Sequence, residues 1–180
     1  ARSNDKIVPN LFGAGIDAAF IRKIELEKES LYQDSFRPVM REIPGLTALL
    51  TALNAAGVPC AAASNSPATN VDFVLDGLAL RRFFHAVLSR DRVSAGKPNP
   101  EVLLKSAGCL NLPPERCLVF EDSSSGFAAA RNAGMAYIAI TGGTDPTELP
   151  LAYDAKMTQK DFTELTVELL TSVMDGKPVR

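Results

Sequence analysis

From Ile43 onward, short apolar runs alternate with segments of helical period, and this alternation limits the possible folds more than any other feature of the chain. Val58–Ala63, Ala86–Leu88, Cys117–Phe120 and Ala136–Ile140 read as strands. Between the first two, Val71, Val74, Leu75 and Leu78 predict a helix. Before them, Leu46, Leu49, Leu50 and Leu53 share one face of a helix over 45–56 that Gly57 can end. A helix starting at Asn99 or Pro100 runs through Val102, Leu103 and Leu104 and stops at Gly108. Ser125–Ala133 is a small-residue helix ended by Gly134, and a helix near 161–174 closes the chain. Repeated strand–helix units predict an α/β fold, a Rossmann-like parallel sheet with helices on both faces.

The region before Ile43 is different. Asp17 can cap a helix in which Phe20, Ile21, Ile24 and Leu31 recur near helical spacing among charged residues. Pro38 and Pro44 then break the chain. Two domains are expected: a helical one over 1–42 and an α/β one over 43–180. Nineteen basic and twenty-one acidic residues among 180 give a formal charge of −2. That balance creates no field to gather nucleic acid or an anionic membrane surface. No apolar run is long enough to span a bilayer. Cys60, Cys109 and Cys117 lack CxxC spacing, and only His85 could join them at a metal. They read as reduced apolar residues of a cytoplasmic protein. The oligomeric state is not specified.

In a parallel sheet of this kind, ligands bind beyond the C-terminal ends of the strands. That rule selects Ser64 and Asn65 after the first strand, Glu121 and Asp122 after Phe120, and Lys97 in the loop GKPNP after 86–88. Adjacent acids at a strand end can hold a hard cation such as Mg²⁺. A lysine can offset the charge of a phosphoryl oxygen. A serine hydroxyl can hold another oxygen, and the helix starting near Ser124 points its positive end to the same place. Together these groups suit phosphoryl transfer, in which catalysis is mostly positioning and charge stabilisation. Each alone has an ordinary structural reading: a turn at Ser64-Asn65, a solvated loop at Lys97, a helix cap at Asp122. His85 follows two phenylalanines and reads as a packing residue.

At these positions the chain resembles the haloacid dehalogenase superfamily. AAASNSP (61–67) is similar to its second motif, with Ser64 at the Ser/Thr position, and GKPNPE (96–101) to its third, with Lys97 at the lysine. VFEDSSSGFAAARNAG (119–134) is similar to the fourth, with Glu121 and Asp122 at the acidic pair. The resemblance covers about residues 43–145. It implies that Asp122 and Glu121 hold Mg²⁺, that Lys97 pairs with phosphoryl oxygens and the nucleophile, and that Ser64 binds a phosphoryl oxygen. Asn65 is expected at the substrate. The first region is similar to the helical cap of the phosphoglucomutase-like subfamily, which implies substrate contacts from Arg2, Ser3 and Lys28.

The chain departs from the family in one respect: it contains no DxD sequence. In the family that motif follows the first, central strand, and its first Asp attacks phosphorus. The resemblance therefore implies a longer protein whose nucleophile precedes Ala1. On that reading the strands 58–63 and 117–121 are separated by a space one strand wide. The expected activity is a Mg²⁺-dependent phosphatase acting through an aspartyl-phosphate on a small phosphorylated metabolite, such as a sugar phosphate. A phosphomutase of the β-phosphoglucomutase kind is the alternative within the same chemistry. A non-catalytic, phosphate-binding relative is the alternative outside it. No GxGxxG or Walker loop supports a general nucleotide-binding protein.

Overall fold

The computed structural model describes residues 17–145, 148 and 154–176. Two compact units divide the chain, Ala1–Arg41 and Glu42–Arg180. In the first, helix α1 spans Ala18–Phe36. Asp17 caps it as its carboxylate accepts the Phe20 N–H at 2.7 Å. Ile21 and Ile24 are half-buried, whereas Phe20, Leu26 and Leu31 face solvent. Tyr32 and Phe36 stack one turn apart, with ring centroids separated by 5.5 Å. A short 3₁₀ turn over Arg37–Val39, containing Pro38, ends the helical run.

The second unit is α/β. Its described elements are α2 (Leu46–Ala55), β1 (Ala61–Ala63), α3 (Ala68–Gly77), β2 (Ala86–Leu88), α4 (Glu101–Cys109), β3 (Leu118–Glu121), α5 (Ser124–Asn132), β4 (Ala136–Ile140), β5 (Met157–Gln159) and α6 (Val167–Met174). Every strand pair is parallel. The strands form two ladders rather than one, β1-β2 and β3-β4-β5, so β1 and β3 are not paired with each other.

Two boundaries and one element differ from the sequence reading, each for a local reason. The strand expected from Val58 starts only at Ala61. The Val58 N–H still closes helix α2 on Leu53 O at 2.9 Å, and Pro59 has no N–H to give a ladder. β5 was not expected, since Met-Thr-Gln carries no apolar run. The closing helix starts at Val167 rather than near 161. Asp161 turns the chain by accepting from the N–H and hydroxyl of Thr163, and Thr166 caps the helix through the Leu169 N–H at 3.2 Å.

β4 shows why the sheet is parallel and covered on both faces. Alternate strand residues point to opposite faces. Tyr137 and Ala139 pack on one side with Val102 and Leu103 of α4 and Phe127, Ala129 and Ala130 of α5. Ile138 and Ile140 pack on the other with Leu49 and Leu53 of α2 and Phe162, Leu165 and Leu170. A third cluster seats α3 against α2 through Leu50, Val71, Leu75, Leu80 and Phe83. Among the described residues, no helix is long and apolar enough to cross a membrane. All three cysteines are free.

Ile138 is fully buried in the middle of β4. Ile138→Ala removes three carbons from a site closed on both faces, so it should destabilise the unit by about 2–5 kcal/mol. Leu104→Ala, on the outer face of α4 at 41% exposure, should cost far less. Denaturant midpoints of the two variants against the parent check the contrast, and equal midpoints would refute the two-sided core.

Candidate active site

The C-terminal ends of β1, β2 and β3 bring together the residues selected from sequence. Ser64 and Asn65 follow β1 directly, and Glu121 is the last residue of β3. The Lys97 ammonium donates to the Ala63 carbonyl at 3.1 Å and to the Glu121 carboxylate in a close ion pair. One side chain thus ties the end of β1 to the end of β3, although the two strands do not pair. The side chains of Lys97 and Glu121 are only 10% and 7% exposed.

Two charges so far from water require further hydrogen bonds as well as each other. Glu121 has them. Its second oxygen accepts the Ser123 hydroxyl at 3.2 Å and the Asp122 N–H at 3.3 Å. Ser123 is also the N-cap of α5, where its oxygen accepts the Gly126 N–H at 3.1 Å. α5 approaches so closely that a Cβ at position 126 would overlap the Glu121 carboxylate. The small residues of Ser-Ser-Ser-Gly therefore let the positive end of a helix stand against a buried carboxylate.

Asp122 has the opposite environment. It is exposed, and its carboxylate takes no hydrogen bond or ion pair from any described residue. No group of three His, Cys, Asp or Glu side chains could hold a metal among the described residues. Mg²⁺ does not need one, because it takes one or two carboxylates and keeps waters or phosphate oxygens. An open Asp122 beside a secured Glu121 fits such a water-rich site.

Ser64 accepts the Ser66 N–H at 3.0 Å, which leaves its own hydroxyl proton for another acceptor. Among the described residues, no His, Asp or Glu side chain is hydrogen-bonded to it. The His85 ring accepts the Cys60 N–H at 3.3 Å at the other end of β1, a packing role as the sequence suggested. Burial pushes the Cys60 thiol up, and burial with the nearby Glu115 charge does the same for Cys117, so neither is an activated nucleophile. Asn65 turns onto the backbone of Lys97. Lys28 lies on α1 and pairs with Glu29 at 2.9 Å. Arg2 and Ser3 fall outside the described residues.

Several supporting residues escaped the sequence reading. Asp91 accepts the Ala68 N–H at 2.6 Å, so it caps α3 from the loop after β2. The Arg90 guanidinium holds Val93 O at 2.7 Å. Asn132, at the end of α5, donates to Pro98 O at 3.1 Å. Asp91 and Arg90 follow β2 closely, so the strand-end rule that found Ser64 could have found them.

Glu101 latches the loop that carries Lys97. One oxygen accepts from Ser94 N–H at 2.8 Å, from the Ser94 hydroxyl at 2.5 Å and from Ala95 N–H at 3.1 Å, while the other pairs with Lys105 at 2.7 Å. Lys105 foremost, then Ser94 and Ala95, hold the carboxyl well below the usual range, at about 2. A lowered folded-state pKa contributes stability that is present above the unfolded value and lost as pH falls through the folded one. The Ser94 and Ala95 amides should therefore stay protected from hydrogen exchange at pH 5 and lose protection as pH falls from 4.5 towards 2. Protection unchanged at pH 2, after correction for intrinsic rates, would show that the carboxylate does not hold the loop.

Comparison with known proteins places these features. The family model described as haloacid dehalogenase-like hydrolase matches residues 8–134. The phosphorylated carbohydrates phosphatase of Thermotoga maritima is 32% identical over 116 residues, 64% of this chain and 52% of that protein. The β-phosphoglucomutase of Bacillus subtilis is 30% identical over 128 residues, 71% of this chain and 53% of that protein. Among solved structures, a family IA, variant 3 HAD hydrolase from Entamoeba histolytica superposes with a TM-score of 0.82 at 26% identity, covering 97% of this chain and 80% of that one. The chain spans about half the length of these two curated relatives.

Proposed function

This chain belongs to the haloacid dehalogenase-like hydrolase family, and we propose that it forms the charge-stabilising part of a Mg²⁺-dependent phosphatase of small phosphorylated metabolites, such as sugar phosphates. The observation that carries this reading is the buried Lys97–Glu121 pair standing between an open hydroxyl at Ser64 and an open carboxylate at Asp122. The similarity to a phosphatase of phosphorylated carbohydrates supports it.

In this reading the transferred phosphoryl group lies over the ends of β1 and β3. Ser64 donates its hydroxyl proton to one phosphoryl oxygen. Lys97, already fixed by Ala63 O and Glu121, faces another and offsets its charge without reorganising. Asp122 holds the cation, with Glu121 behind it directly or through water. Mg²⁺ when bound supplies further neutralisation of the phosphoryl oxygens. On the family's pattern the attacking group is the first aspartate of a DxD motif, which these 180 residues do not contain, and it would stand between the ends of β1 and β3, which do not pair with each other among the described residues. Its carboxylate oxygen bonds to phosphorus as the bond to the leaving alkoxide breaks. The leaving oxygen would take the proton of the motif's second aspartic acid, which the family uses as its general acid and base, and water then hydrolyses the aspartyl-phosphate to inorganic phosphate. The similarity to β-phosphoglucomutase favours, as a second reading, return of the phosphoryl group to a sugar hydroxyl instead of water. The free thiols accord with a cytoplasmic setting.

Phosphate release from a panel of sugar phosphates, with and without Mg²⁺, tests the activity in the protein that carries the DxD strand. Asp122→Asn should raise the Mg²⁺ concentration for half-maximal rate by about tenfold or more, the size of effect that a lost charge-assisted ligand of 1.5–3 kcal/mol produces. An unchanged Mg²⁺ titration would remove Asp122 from the cation.

Lys97→Ala should lower kcat by a factor on the order of 10², the scale for removing one preorganised electrostatic group. It also strands Glu121 in a buried site, at a cost of about 3–5 kcal/mol. The comparison is therefore made well below the variant's melting temperature. Full turnover in the folded variant would place Lys97 outside the reaction.

A further inference from the structure

We propose that Asn65 is a positioning residue for Lys97, a two-point clamp on its backbone, and not a contact to the substrate. The inference rests on the reading above only in taking the Lys97 ammonium as the group that faces the phosphoryl oxygens. The geometry stands apart from that reading. The Asn65 side-chain carbonyl accepts the Lys97 N–H at 2.8 Å. Its amide N–H₂ donates to the Lys97 carbonyl at 3.2 Å. A planar carboxamide thus pairs with both backbone polar groups of one residue and fixes the peptide units on either side of it.

The fit leaves no slack. A Cβ at Gly96 would lie 2.8 Å from the Asn65 Oδ1 and 3.2 Å from its Cγ, and 3.2 Å from Arg90 Cδ. Residue 96 therefore has no room for a side chain while Asn65 holds its neighbour. The far end of Lys97 is held by the same stretch of chain, since the ammonium donates to Ala63 O. Lys97 is docked on residues 63–65 at its backbone and at its tip, and Glu121 meets the tip from β3.

A lysine side chain has several rotatable bonds and loses much conformational freedom when it is held in one pose. Anchoring the backbone limits the poses that the ammonium can reach, so the ion pair with Glu121 forms in one place. The clamp does this without charge. An aspartate at 65 would lose the donor and bring a negative charge beside the loop, and an alanine would lose both bonds. The role also explains why a polar residue follows Ser64 at the rim while its amide oxygen and nitrogen both turn to a neighbouring loop.

Lysine acylation read by mass spectrometry tests this on the full chain without any appeal to turnover. In the parent, Lys97 should react with acetic anhydride far more slowly than Lys23, whose side chain is 71% exposed. Asn65→Ala should raise the Lys97 rate at least tenfold, with Lys23 and Lys105 unchanged. If Asn65→Ala does not fold, the nearly isosteric Asn65→Asp replaces it and should raise the rate at least threefold. A folded variant that leaves Lys97 as protected as in the parent overturns the clamp. In the active protein, Asn65→Ala should lower kcat more than tenfold with KM within twofold. A raised KM with kcat preserved would overturn the proposal by making Asn65 a substrate contact. Should the parent show no phosphatase activity, the reading of the reaction fails and the acylation rates still decide the clamp.

Discussion

The ion pair between Lys97 and Glu121 is the constraint around which the α/β unit is arranged. Two opposite charges, one at the end of β3 and one reaching the end of β1 from the loop after β2, attract strongly once water is excluded, and neither tolerates being left alone. Everything near them serves that condition. Ser123 turns its hydroxyl to Glu121 while it starts α5, Gly126 lets the helix end come close, and Asn65 sets the backbone from which the lysine reaches. Buried pairs of this kind add little net stability compared with apolar packing, so the arrangement is better understood as one that fixes a charge in place. A fixed charge is what phosphoryl transfer requires of a protein.

Glu121 and Asp122 are neighbours in sequence with different surroundings. Glu121 lies inside, neutralised by Lys97, and Asp122 faces water with no partner among the described residues. The pair divides two tasks that a single carboxylate could not perform together. The inner one holds the lysine in place. The outer one stays open to water.

Much of this arrangement was legible in the chain. The apolar runs at 117–120 and 136–140, with Gly134 between them, located β3, α5 and β4 to within a residue or two. The strand-end rule then leads to Ser64, Lys97, Glu121 and Asp122. What periodicity could not convey was hydrogen-bond direction. Asn65 reads the same whether it faces a ligand or the next loop. The break between the two ladders follows from the family resemblance, which expects a space one strand wide between 58–63 and 117–121, and not from any strand's own pattern, which is satisfied by its own partner. β5 was hidden because Met157–Gln159 is short and half polar, and it is ordered by β4 rather than by its own pattern.

β1 contains only three residues. At about 3.3 Å per residue, the path from Cys60 to Ser64 is roughly 13 Å long. The contact in which His85 receives the Cys60 N–H therefore lies about a nanometre beneath the hydroxyl at the rim. In a long strand, the two ends would be mechanically remote. β1 is so short that the Cys60 backbone, held by the His85 ring, lies only four residues from the hydroxyl at the rim.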